Sequence, residues 1–135
     1  MDDIALRDNL IKQAQQAMLA ILLQINILLE AAQTYVVEKP ASSKIREMQH
    51  KELNQSVNDL GTIPRMLVDE IANWKNGKDR VLGRDGIETF LLADLLASMD
   101  SMYWFFSRED IDVITYSSDI VMQSICELIR CNRLI

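Results

Sequence analysis

Residues 3–37 contain neither glycine nor proline, and their middle, Met18 to Leu29, is almost wholly apolar. A heptad row of Ile4, Ile11, Met18, Ile25 and Ala32 runs through the stretch, flanked by Ala14, Ile21, Leu22, Leu28, Leu29 and Tyr35. This spacing predicts one long helix. Being apolar on most of its faces, it has to be covered on several sides, either as the axis of a bundle or as half of an intermolecular seam. Gln24 and Asn26 are polar interruptions that need partners.

Lys39-Pro40-Ala41-Ser42-Ser43 stops this helix, because Pro40 disfavours helical geometry at the residue before it, and Ser42 or Ser43 can cap the next one. A second helix, 43–60, is mostly polar with a thin stripe of Ile45, Met48, Leu53, Val57 and Leu60, and belongs on the outside. Gly61-Thr62-Ile63-Pro64 breaks it, with Thr62 as the expected cap of a third helix, 63–75, that buries Met66, Leu67, Ile71 and Trp74. After a glycine-rich loop, 76–86, Asp85 and Glu88 form a capping pattern for a fourth helix, 86–106, with Leu92, Leu95, Met99, Met102, Tyr103 and Phe106 as its core face. Ser107 and Asp110 repeat that pattern for a fifth, 108–131, whose seam is Ile111, Ile114, Ser118, Val121, Ile125 and Leu128. The expectation is a single all-α domain over 1–135, a five-helix bundle built around the long N-terminal helix.

Composition agrees: among 135 residues there are four glycines and two prolines, and the hydrophobic share of 49% supports a real core. The net charge of −6 repels polyanions, so no direct binding to nucleic acid or to an anionic membrane is expected. The apolar block 17–32 is interrupted by Gln24, Asn26 and Glu30 and falls short of the roughly 20 residues of a membrane span. The opening Met1-Asp2-Asp3 is acidic, unlike a signal peptide. Cys126 and Cys131, five apart on one helix, point in different directions and cannot bridge each other, which fits a reducing cytoplasm.

Catalytic constellations are incomplete. His50 is the only histidine, so Glu47 and His50, spaced as in the metal-binding helices of di-iron bundles, lack a second motif. The stretch His50-Lys51-Glu52-Leu53-Asn54-Gln55-Ser56-Val57-Asn58-Asp59-Leu60-Gly61 resembles the phosphorylated helix of histidine phosphotransfer domains, which implies phosphotransfer at His50. That family usually carries Lys three and Gly four residues after the histidine, where this chain has Leu53 and Asn54. Asp69-Glu70-Ile71-Ala72-Asn73-Trp74-Lys75, followed by Ile87-Glu88 and Asp94, resembles the helix order of all-α nucleotide pyrophosphohydrolases of the MazG and dimeric dUTPase type, which implies a Mg²⁺ site at Glu70, Glu88 and Asp94. Leu67 and Leu91 stand where that family's paired carboxylates belong, so the metal site is incomplete.

The charge layout is more distinctive. From Asp85 to Glu127 nine acids face one base, Arg108, a local charge of −8. Trp104 shares a second face of the fourth helix with the small residues Ala93, Ala97 and Ser101. The expected function is therefore non-enzymatic: binding of a protein partner with a basic surface, as an adaptor, chaperone, immunity protein or inhibitor does, through Asp94, Asp100, Trp104, Asp112 and Asp119. Self-association through Ile11, Met18 and Ile25 is a further expectation. No cofactor, catalytic group or metal ligand is assigned. Phosphotransfer at His50 and the pyrophosphohydrolase reading are the alternatives.

Overall fold

The computed structural model describes residues 3–78, 80–107 and 111–135, with the side chains of 107 and 111–117 left aside. Among the described residues there is no strand. In chain order the elements are α1 (Asp3–Glu38), α2 (Lys44–Gly61), α3 (Ile63–Lys75), α4 (Arg84–Thr89), a π-helical segment (Phe90–Leu95), α5 (Leu96–Ser107) and α6 (Ile111–Leu134). The all-α class and the long first helix are as the sequence predicts; five regular helices do not describe the chain, because the fourth is interrupted.

The interruption has its cause in the sequence. Ile87, Leu91, Leu95 and Met99 are all buried at successive steps of four residues, a spacing that drifts off one face of a regular α-helix at 3.6 residues per turn. The wider π turn returns these side chains to a common face. Consequently Phe90 and Leu91 enter the core and Leu92, expected there from an unbroken α pattern, is exposed.

α1 packs chiefly against α6, with α3 and α2 also against it, while α2 packs on α5. Its inward row is Leu10, Ala14, Ala17, Ile21, Ile25, Leu28, Ala32 and Tyr35. The helix is covered along one side only: Leu19 and Leu23 remain 60% and 58% exposed. Contrary to the sequence expectation, α1 is by length and composition able to cross a membrane, an 18-residue window reaching a mean hydropathy of 1.5. The core helix of a bundle meets the same criterion, and here a third of that window is buried in the chain's own interior.

Ser43 caps α2, its Oγ accepting from the Arg46 N–H at 3.2 Å. Only the second half of the α2 stripe packs: Leu53 and Leu60 are buried, Ile45 and Met48 exposed. Met66 is likewise exposed, its place in the core of α3 being taken by Ile63. Two expected caps are replaced. Thr62 donates its hydroxyl back to the Asp59 carbonyl at 3.1 Å, and α4 starts at Gly83, whose φ of 74° is open to glycine but rarely to other residues. Glu88 instead binds Arg133 of α6 at 2.7 Å, which holds its carboxyl below the usual carboxylate range. The cap at Ser107 and Asp110 involves residues outside those described, and Ile111 and Ile114 are among those whose side chains are left aside.

Tyr103 is buried with its hydroxyl unpartnered among the described residues, and burial pushes its phenol from 10.0 up to about 12. The folded state therefore favours the neutral phenol, and its contribution, complete below pH 10, is lost as pH rises towards 12. Tyr103→Phe should leave the melting temperature at pH 7 unchanged or raise stability by about 1 kcal/mol, since no hydrogen bond is lost, and should flatten the decline in stability above pH 10. Thermal melts across that range test it.

Candidate functional site

Leu53 and Leu60 point inward and fix the phase of α2, which sets Glu52, Gln55, Ser56 and Asp59 along one flank beside α5. On α5 the inward side chains are Met99, Met102, Tyr103 and Phe106, leaving Asp100, Ser101 and Trp104 outward. Between the two flanks lies a groove of about 540 Å³ lined by Glu52, Gln55, Ser56, Asp100, Ser101, Trp104 and Phe105. A neighbouring groove of about 370 Å³ is walled by Asp59, Thr62 and Met66 on one side and Phe90, Ala93 and Asp94 on the other.

Among the described residues each groove is lined by two carboxylates and by no lysine or arginine. Trp104 is 58% exposed. An exposed indole beside carboxylates suits a basic partner, the ring offering contact area and the carboxylates the opposite charge. A third groove of about 680 Å³, between the end of α1 and α2, is mainly apolar, with Leu29, Val36, Val37 and Val57 in its wall and Glu38 as its sole carboxylate.

Of the residues singled out from sequence, Asp100 and Trp104 line one acidic groove and Asp94 the other. Asp119 is exposed on α6 and lines neither. Asp112 lies outside the residues whose side chains are described. Glu52 and Asp59 were missed because α2 reads as a solvated helix; the signal is the spacing of 52, 55, 56 and 59, which share one flank once Leu53 and Leu60 are inward. Ile11 and Ile25, expected at an intermolecular seam, are buried in the chain's own core and Met18 packs partly against it. The apolar positions of α1 that face outward are others.

His50 is half-buried. Its ring meets Tyr35 edge-on at 5.9 Å, and its Nε2 is shielded without a hydrogen-bond partner among the described residues, so a phosphoryl donor has no approach to that nitrogen in this conformation. The Tyr35 hydroxyl accepts from Arg46, while Lys39 sits 5.0 Å above its ring.

The acids of the pyrophosphohydrolase likeness occupy three different environments. Glu70 is fully buried and accepts from the Trp74 indole and the Leu82 backbone N–H, both at 3.0 Å. Glu88 pairs with Arg133, and Asp94 opens into a groove. Among the described residues no group of three or more histidine, cysteine or acidic side chains is placed to hold a metal ion. Around Glu70 a set of polar contacts ties Arg80, Leu82 and Arg84 to α3 and α6. Arg80 lies over the Trp74 ring at 5.2 Å and donates to Asn132, whose amide donates to the Arg84 carbonyl at 2.9 Å. Arg7 donates to the Trp74 carbonyl. Burial pushes the Arg80 guanidinium below its ordinary value.

Cys126 is exposed and Cys131 buried, both as free thiols. Burial pushes the Cys131 thiol up, away from the reactive thiolate. Comparison with protein-family models, with curated proteins and with solved structures returned no significant match.

Proposed function

We propose that the protein is a non-enzymatic binding protein that takes a basic partner protein along the groove between α2 and α5. The observation that carries this reading is Trp104, more than half exposed and sharing a groove with the carboxylates of Glu52 and Asp100. Exposed tryptophans are frequent anchors of interfaces, and surrounding carboxylates select and steer a cationic partner. The acids at 52, 59, 94 and 100 extend the field along both grooves. An adaptor, chaperone, immunity protein or inhibitor works in this way without chemistry of its own. We also read the chain as one five-helix bundle domain, with 84–107 acting as a single helix interrupted by its π turn, and place it in a reducing, cytoplasmic setting on the strength of its two free thiols.

Wild-type protein and the variants Trp104→Ala and Asp100→Asn, immobilised as baits in extracts of the source cells, test the reading. A basic protein held by the wild type should be lost from Trp104→Ala by roughly 30-fold, the effect of removing a typical anchor. It should elute as salt rises from about 0.1 to 1 M, where the screening length falls from about 10 to 3 Å. Equal capture by all three baits, persisting at high salt, would move the functional surface elsewhere.

A further inference from the structure

The outward face of α1 carries a pattern that complements itself. Positions 5, 9, 12, 16, 19, 23, 26, 30, 33 and 37 are all exposed and alternate in steps of four and three, the spacing of a coiled-coil seam. They read Ala5, Asn9, Lys12, Gln16, Leu19, Leu23, Asn26, Glu30, Gln33 and Val37. This row lies opposite the inward row around Ile21 and Ile25.

We propose that α1 pairs with α1 of a second copy, antiparallel, with the two-fold axis between Leu19 and Leu23. That register sets Leu19 against Leu23 of the other copy, Gln16 against Asn26, Lys12 against Glu30, Asn9 against Gln33 and Ala5 against Val37. Every layer matches like chemistry with like, or a cation with an anion. No other simple pairing does so: a parallel one places Lys12 on Lys12 and Glu30 on Glu30, and an antiparallel one centred on Leu23 places Lys12 on Thr34 and Glu30 on Gln16. Neither Lys12 nor Glu30 makes an ion pair within its own chain among the described residues. No other charge lies between them along 13–29, so within this row these two side chains set the register while Leu19, Leu23 and the adjoining Ile27 supply the apolar contact. The seam uses none of the α2/α5 groove residues, so it stands or falls independently of the proposed function.

Sedimentation equilibrium, up to roughly 100 μM so that mass action can reveal a weak dimer, is the primary test. The wild type should be dimeric. Lys12→Glu and Glu30→Lys should each weaken the dimer by about tenfold, because each turns two attractions into two repulsions. The double exchange should restore it, and Leu19→Asp with Leu23→Asp should abolish it. Circular dichroism on each variant should show unchanged helix, since the positions are exposed. Spin labels at Asn9→Cys, in a Cys126→Ser background, should lie about 36 Å apart along the axis, against about 10 Å for a parallel pair. A monomer throughout, a dimer that tolerates Leu23→Asp, a double exchange that fails to rescue, or α1 binding to phosphatidylcholine vesicles in place of dimerising would each overturn the proposal.

Discussion

Ile25→Asp should leave the protein without a cooperative thermal transition at pH 7. Ile25 is completely buried on the inward row of α1. Removing its side chain alone costs about 2–5 kcal/mol by analogy with other buried aliphatic truncations. The carboxylate that replaces it must either remain ionised in an apolar interior or take up a proton, and protonation at pH 7 of a group with an ordinary value near 3.9 costs about 4 kcal/mol. The two effects together are comparable with the roughly 5–15 kcal/mol that holds a domain folded. The proton term shrinks as pH falls towards 4, so part of the lost helix signal should return there. Ile25→Val, expected to cost about 0.5–1.5 kcal/mol, is the control that should still melt cooperatively. An aspartate variant that melts with the wild type would show that the inward face of α1 is misassigned.

Glu70→Ala should destabilise the protein by about 3–5 kcal/mol. The reason is what stays behind: the Trp74 indole and the Leu82 N–H lose their acceptor and Arg80 loses the nearby carboxylate that favours its charge. Stranding buried donors and a charge costs more than an intact pair contributes. Glu70→Gln keeps an acceptor oxygen and should lose only about 1–2 kcal/mol. The local signature is release of the 76–83 loop, read as faster hydrogen exchange at Leu82 and new proteolytic cleavage between Asn76 and Gly83. Alanine and glutamine variants of equal stability would mean that these hydrogen bonds do not hold the loop.

How much of the fold was legible in the sequence depends on whether the signal is local. The absence of Gly and Pro in 3–37, Pro40 and the serine cap at Ser43 are local, and they place α1 and the start of α2. The π turn was hidden by a competing pattern, since Leu92, Leu95 and Met99 fit an unbroken α-helix as well as Leu91, Leu95 and Met99 fit a widened one; packing against the remaining helices selects the second. Burial of Glu70 was not readable because its partners come from Trp74, Leu82 and the neighbourhood of Arg80, brought together only by the loop closing over α3. An acid with a tryptophan four residues on looks no different from a solvated one. Whether the heptad row of α1 is bundle core or intermolecular seam was open for a related reason. Both roles fit heptad spacing, and only the placement of α6 and α3 shows which face is covered. In the candidate site, Asp94, Asp100 and Trp104 are given by helix phase, whereas Glu52 and Asp59 emerge only once α2 is known to pack on α5.

The partner-binding account is tested most directly by a photo-crosslinking amino acid installed in the living source cells. It would be placed at Ser101 and at Gln55, on opposite walls of the groove and away from Trp104 itself, with Val68, exposed on α3, as the control. The account predicts that both groove positions trap the same basic protein, that Val68 does not, and that Trp104→Ala in the same chain abolishes the adduct. A partner trapped from Val68 but not from Ser101 or Gln55, or an adduct indifferent to Trp104→Ala, would contradict it.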